Sequence, residues 1–451
     1  MRRDLLLAYQ SGLFTTQQMV ERLAALNASE RYALSEAQRG LWLLERDANA
    51  AYNVPVGFRM RGRVDVQHLR SAWAVTLLEH PSLRATVRAE GGKLSQHVTA
   101  ARTLPFEQHD ASDWSDAAID AHLRAVLKRP IRLDGGPLAT LHLLSKGERD
   151  HIVLLVTHHL VFDGASVEPL LSTLFGTYQA LRDGVVVEPA VQAARYRDFV
   201  EWESEYLSGA RSAADREYWM GRLAGAPPHL PLPSDHGPAA QTRIDGRTHS
   251  ELLAADLAAR VRAVCVRLKI SPSAMFLGLY KLLLHRFTGA SDIVVGVPTL
   301  GRPEPGFERV VGLFANMVAV RGAVDPSSAF DTWIRQLQSA LSDDLDHAHY
   351  PFARLVRDLD LSRHGEREPV FQVAYEYESD GMSNTQRLRK AFAEKLRIEP
   401  LDGFHQEGYY ALALEVVESG ATFALNFKYD SNRFLPATIE RLSREFVELA
   451  G

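Results

Sequence analysis

The chain has 451 residues, more than one hydrophobic core usually serves, so two lobes are expected. Its 51 basic and 56 acidic residues give a net charge of -5, which offers no broad basic field for nucleic acid. A single cysteine, Cys265, excludes an internal disulfide framework and any cysteine-based zinc site, and no run approaches the roughly 20 apolar residues of a membrane span. A cytoplasmic location is the expectation, with no metal and no bound cofactor.

Residues 1–28 read as two short helices, the second opened by Thr15 with Gln18 in capping-box spacing; residues 1–30 are assigned to a helical linker or docking segment. Leu34–Leu44 then precedes a half-buried strand in which Val54, Val56, Phe58 and Met60 alternate. Asp65 stands where it would cap a helix carrying Val66, Leu69, Trp73 and Leu77, which must stop before Pro81 because proline disfavours helical geometry in the residue ahead of it. Leu138–Leu144 and His151–Val156 flank a polar turn and read as a hairpin.

Ile152–Val156 is an unbroken apolar run, the pattern of a strand covered on both faces, and its polar end carries His158, His159, Asp163 and Gly164. After Ser166, read as an N-cap, apolar residues return at helical spacing from Val167 to Leu181. Neighbours on a strand point to opposite faces, so only one of His158 and His159 can face a cavity, and the two cannot share a metal.

Residues 31–184 are assigned to a first lobe and 185–451 to a second, with the proline-rich stretch from Pro227 to Pro238 as a surface crossing. The second half opens with helices near 252–268 and 272–288, then a buried strand, Asp292–Pro298, leading to Arg302. His347 and His349 have the spacing to share a strand face as metal ligands, but a solvated loop beside Tyr350-Pro351 is the preferred reading. A hairpin around Gly420 and a helix from about 436 end the chain.

H-H-L-V-F-D-G, His158–Gly164, resembles the HHxxxDG motif of the condensation domains of nonribosomal peptide synthetases. Further stretches fit the same family's signatures in its order: S-E-A-Q-R-G-L-W with Y-N-V-P, H-P-S-L-R with Arg84, Y-R-D-F-V-E-W, V-G-L-F-A-N, H-A-H-Y-P-F and P-V-F-Q-V-A-Y. Two positions depart from the pattern, Gly40 in the first signature and Met317 where threonine is usual. The first and last signatures look closer to condensation domains that follow polyketide modules.

The resemblance implies an α/β fold of two chloramphenicol-acetyltransferase-like lobes in a V, with a tunnel open at both ends. It implies acyl transfer from a carrier-protein phosphopantetheine thioester to an amine or a hydroxyl, with donor and acceptor carrier proteins as partners. The chain is then a monomer or part of a megasynthase, with no nucleic-acid or membrane partner. His159 is assigned as the group that accepts or positions the nucleophile's proton; His158, Asp163 and Gly164 are motif residues, and Asp163 is implied to pair with Arg302 from the other lobe. Gly164 would let backbone and thioester approach closely, and Asn316 and Gly312 are assigned to the tunnel. Alternatives are a non-catalytic carrier-docking module of the same fold and an acyl-CoA-dependent HxxxD transferase, whose DFGWG segment is absent. Epimerization and heterocyclization relatives are disfavoured by the lack of an E-x-H-G-R-E-like stretch and by the intact histidines.

Overall fold

The structure, a computed structural model, describes residues 30–44, 50–99, 104–185, 194–237, 245–360, 370–379, 397–401 and 410–451. The two helices read in residues 1–28 lie outside the described residues. From Glu30 the chain forms β1 (Glu30–Ala33), α1 (Glu36–Leu44), β2 (Asn53–Arg61), α2 (Val66–Glu79), β3 (Ala85–Glu90), β4 (Lys93–Val98), β5 (Phe106–Asp110), α3 (Asp116–Leu127), β6 (Ala139–Gly147), β7 (Asp150–His158) and α4 (Val167–Arg182). Beyond it come α5 (Tyr196–Ser208), α6 (Ala210–Arg222), β8 (Gly246–Leu252), α7 (Ala255–Leu268), α8 (Pro272–Thr288), β9 (Asp292–Thr299), β10 (Asn316–Ala323), α9 (Phe330–Asp346) and α10 (Phe352–Asp358). The last elements are β11 (Val373–Glu378), β12 (Arg397–Pro400), β13 (Leu412–Ser419), β14 (Thr422–Asp430) and α11 (Pro436–Ala450).

Two compact units result, and they do not divide the sequence at one point. The first runs to Ser204 and also takes in Arg302–Phe314 and the β12 strand; the second holds the rest. Three stretches of the sequence assigned to the second lobe, α5 as far as Ser204, Arg302–Phe314 and β12, therefore fold into the first unit. No local pattern signals this, because membership is decided by which sheet edge or turn a returning segment meets.

In the first unit a five-stranded sheet has the order β12-β2-β7-β6-β5, with β5 parallel to β6 and the other neighbours antiparallel; β1-β4-β3 form a second, three-stranded sheet. β7 lies at the centre of the larger sheet, which explains its unbroken apolar run. Ile152, Leu154 and Val156 pack with Ile119, Leu123 and Val126 of α3. On β2, Phe58 stands in register with Val153, and its ring meets Phe175 of α4 edge-on at 5.7 Å. Covered on both faces, the strand holds its polar end at a fixed height.

Helix boundaries follow the sequence where local capping decides them. The Asp65 carboxylate accepts the His68 N–H at 2.9 Å, and α2 stops at Glu79, two residues before Pro81. Ser166 is different. It makes no capping bond to α4; Asp163 caps the short 3-10 turn Gly164–Ser166 instead, and the Ser166 hydroxyl is drawn 2.7 Å to the same carboxylate.

The second unit is built on a six-stranded sheet of order β10-β9-β11-β13-β14-β8. One face is covered by α8, whose Phe276, Tyr280, Leu283 and Leu284 are buried with Trp333 and Ile334 of α9 and Phe446 of α11. Ser271 caps α8 by accepting the Ala274 N–H at 3.1 Å, and Gly289 closes it at φ 74°. Lys281 is fully buried in this core, where its ammonium donates to the Ile293 and Val320 carbonyls at 2.7 and 3.0 Å and joins β9 to β10. Among the described residues no single helix is long and apolar enough to cross a membrane.

Candidate functional site

β7 ends at His158, and His159 opens a 3-10 turn, so the strand alternation expected to separate the two rings is replaced by the change from strand to turn. His158 is completely buried, and its Nδ1 accepts the Leu160 N–H at 3.0 Å. His159 is half-buried, with Nδ1 2.7 Å from the Phe162 carbonyl oxygen. A carbonyl only accepts, so the His159 proton sits on Nδ1 and Nε2 keeps its lone pair. The adjacent histidines thus hold opposite tautomers: in His158 it is Nδ1 that carries the lone pair.

Burial holds the His159 imidazole below its ordinary pKa of 6.5, opposed by the hydrogen bond to Phe162 and by the charge of Asp163. The ring is therefore neutral at physiological pH, with Nε2 able to accept a proton. The turn beneath it is braced from afar. The Gln38 amide donates to the Leu160 carbonyl at 2.9 Å, and the Gln38 and Gln96 amides bond each other at 2.7 and 3.1 Å.

Asp163 is the organising residue of the loop. Its Oδ1 accepts the Ser166 N–H and Arg302 Nη2 at 2.9 and 3.0 Å; its Oδ2 accepts the Phe314 N–H and Arg302 Nη1 at 3.0 and 3.1 Å. Arg302 also donates to the Phe307 and Val310 carbonyls, both at 3.2 Å, and lies 4.3 Å over the Phe314 ring. A carboxylate with its lone pairs so filled fixes geometry and has little capacity left to move protons. Arg302 was expected from the other lobe; it belongs to the same compact unit as Asp163, because Arg302–Phe314 folds back onto that unit.

Gly312 was assigned to the tunnel, yet it is buried. Its N–H donates to Ser166 Oγ at 3.1 Å, and a Cβ there would stand 2.1 Å from Cδ2 of Tyr196. The Tyr196 hydroxyl donates to the Leu313 carbonyl at 2.6 Å, so the V-G-L-F signature and the Y-R-D-F signature form one packed joint. Gly164 is the opposite case, exposed and with no described residue within 4 Å of where its Cβ would be.

Asn316 lies in the second unit, and its side chain is fully engaged. Nδ2 donates to the Ala348 and Tyr350 carbonyls, both at 2.8 Å, and Oδ1 accepts the Phe352 N–H at 2.9 Å. It clamps the H-A-H-Y-P-F segment. His347 Nδ1 is held 2.6 Å from Asp215 while its ring stacks on Tyr218 at 3.8 Å; His347 follows a helix, so it shares no strand face with His349. Arg84 donates to the Leu77 and Thr99 carbonyls at 2.7 and 2.6 Å.

Sequence reasoning passed over Gln38, Gln96, Tyr196 and Ser166 as parts of the site. No sequence signal marked them, since only the structure shows that Gln38, Gln96 and Ser166 are each completely buried. Buried polar side chains are rarely idle.

The site is thus a neutral imidazole presented at the end of a buried strand, over a loop locked by an arginine–aspartate pair. The chain belongs to the condensation-domain family, whose profile matches residues 28–450. It is 34% identical over 420 residues to polyketide synthase PksN of Bacillus subtilis (strain 168), covering 92% of this chain and 8% of that protein. It is 30% identical over 423 residues to phosphinothricin tripeptide synthetase PhsC of Streptomyces viridochromogenes, covering 92% of this chain and 38% of that protein. The chain thus spans a small part of the curated relatives it matches. In fold it is similar to the X-domain from teicoplanin biosynthesis, with a TM-score of 0.84 and 22% identity over 95% of this chain and 96% of that one. It is also similar to the condensation domain of the monacolin K polyketide synthase MokA, with a TM-score of 0.76 and 19% identity over 94% and 97%.

Proposed function

We propose that this domain transfers an acyl group from a thioester on a carrier protein's phosphopantetheine arm to an amine or hydroxyl nucleophile, within natural-product assembly. The observation that carries the reading is the His159 tautomer: the Phe162 carbonyl holds the proton on Nδ1, so Nε2 is the accepting atom. The nucleophile attacks the thioester carbonyl, its proton passes to Nε2, the C–S bond breaks and the leaving thiolate takes the proton up. Aminolysis of a thioester is downhill, so orientation can supply about 7–11 kcal/mol of the barrier reduction and general-base action about 10²–10⁴ in rate. Asp163 and Arg302 act by holding the loop. Gly164 is where the absence of a side chain leaves room for the thioester.

The test is intact-protein mass spectrometry of an acyl-loaded carrier protein with this domain, a panel of amines and alcohols, and His159→Ala in parallel. Coupled product from the wild type that falls at least about 10²-fold in His159→Ala supports the reading. Product formation undiminished by that substitution overturns the assigned role of His159. A free acyl-CoA that serves as donor as well as the carrier would favour the acyl-CoA-dependent alternative.

A further inference from the structure

Four side chains with metal-binding chemistry meet at the edge of the five-stranded sheet, and the proposed acyl transfer uses none of them. Glu107 and His109 lie two residues apart on edge strand β5 and so share a face; His142 on β6 stands in parallel register with Glu107. The Glu107 Oε2 atom is 3.4 Å from His142 Nδ1 and 3.7 Å from His109 Nε2. One donor atom from each of the three lies within 4.8 Å of the others. Helix α3 covers this face, and its His122 ring meets the His109 ring edge-on at 4.6 Å, with Trp114 5.0 Å from His122 as an outer wall.

The hydrogen bonding leaves these rings unanswered. His142 is 3% exposed, and its Nδ1, aimed at the cluster, has no hydrogen-bond partner among the described residues; the same holds for the buried Nε2 atoms of His109 and His122. Imidazole nitrogens desolvated without a hydrogen bond among the described residues are costly in a folded protein, and a metal ion held between Glu107, His109 and His142 would satisfy the donor atoms of that group together. The spacing fits. Ligands about 2.0–2.1 Å from a tetrahedral zinc ion stand roughly 3.3–3.4 Å apart. The donor set of imidazoles with one carboxylate suits a zinc-class ion and disfavours magnesium or calcium, which take oxygen ligands. Arg129 lies 3.3 Å from Glu107 and competes for it, but its side chain is 56% exposed and can leave for water.

We propose that Glu107, His109 and His142, with His122 closing from α3, bind one divalent transition-metal ion of the zinc class. The ion fastens edge strand β5 to β6 and to α3. Its role is structural, at a place in the unit separate from the His159 loop.

The experiment uses the full chain stripped with a chelator and titrated with Zn²⁺ by calorimetry, with Co²⁺ as the spectroscopic probe. One saturable equivalent, a thermal midpoint that rises with zinc, and the intense visible absorption of tetrahedral Co²⁺ are expected. Glu107→Gln and His109→Gln lie on the part-exposed edge and spare the buried His142, so the fold, checked by circular dichroism, should persist. Each should weaken zinc binding by at least about tenfold. No saturable binding by the wild type, or an affinity unchanged in both folded variants, overturns the proposal. The second result would place the metal on other histidines. Acyl transfer enters neither readout, so failure here leaves the function of His159 untouched.

Discussion

Arg302 grips Asp163 through two parallel hydrogen bonds of 3.0 and 3.1 Å, with the two side chains 6% and 1% exposed. The fork-to-carboxylate geometry satisfies both charges without water. Removing either partner leaves the other buried and unpaired. Arg302→Ala or Asp163→Ala should each destabilise the protein by about 3–5 kcal/mol, and the Asp163→Ala/Arg302→Ala double variant by clearly less than the sum. Urea unfolding midpoints of the four proteins check this; additive losses would mean that the pair is not coupled.

The lowered pKa of His159 sets the expected pH dependence of transfer. A protonated ring cannot accept a proton, so activity should be low in acid, rise through a midpoint below 6.5, and be level at neutral pH. The measurement is the rate at saturating carrier-bound donor with an acceptor that does not titrate in this range. A midpoint above 6.5 would contradict a base held neutral by burial.

Two glycines should respond in opposite ways to the same change. A Cβ at Gly312 would meet the Tyr196 ring at 2.1 Å, so Gly312→Ala should cost about 1–3 kcal/mol through overpacking. At Gly164 a Cβ meets none of the described residues, so Gly164→Ala should leave stability within about 0.5 kcal/mol of wild type. A fall in transfer by this stable variant then reports the approach of the thioester. Denaturation curves together with the transfer assay separate the two outcomes.

Asn316 is expected to act as a clamp. Asn316→Ala removes three hydrogen bonds and leaves the Ala348 and Tyr350 carbonyls without that donor, a cost of about 1–3 kcal/mol. Hydrogen exchange should accelerate at the Phe352 amide and in the turn before it while the β7 amides are unaffected. Uniform acceleration across both units would instead indicate a global loss of stability.

What the sequence determined by itself is local or repetitive in origin. The unbroken run Ile152–Val156 announced a strand covered on both faces, Asp65 and Pro81 bounded α2, and helical spacing placed α8 near 272–288. The histidine motif and the order of the other signatures pointed to the family that the profile match then established. These signals survive because periodicity, capping and proline geometry act within a few residues. The tertiary structure alone decided which nitrogen of His159 bears the proton, since that depends on the turn bringing the Phe162 carbonyl to 2.7 Å. It also decided that Arg302 returns to the unit of Asp163, that Gln38 and Gln96 brace the turn, and which neighbours Asn316 and Gly312 hold. The histidines that look paired in sequence, His347 and His349, follow a helix, whereas Glu107, His109, His122 and His142 meet only because β5 runs parallel to β6 beneath α3. Strand register and the partners of buried polar groups are set by the global packing of apolar faces, and no window of sequence contains that information.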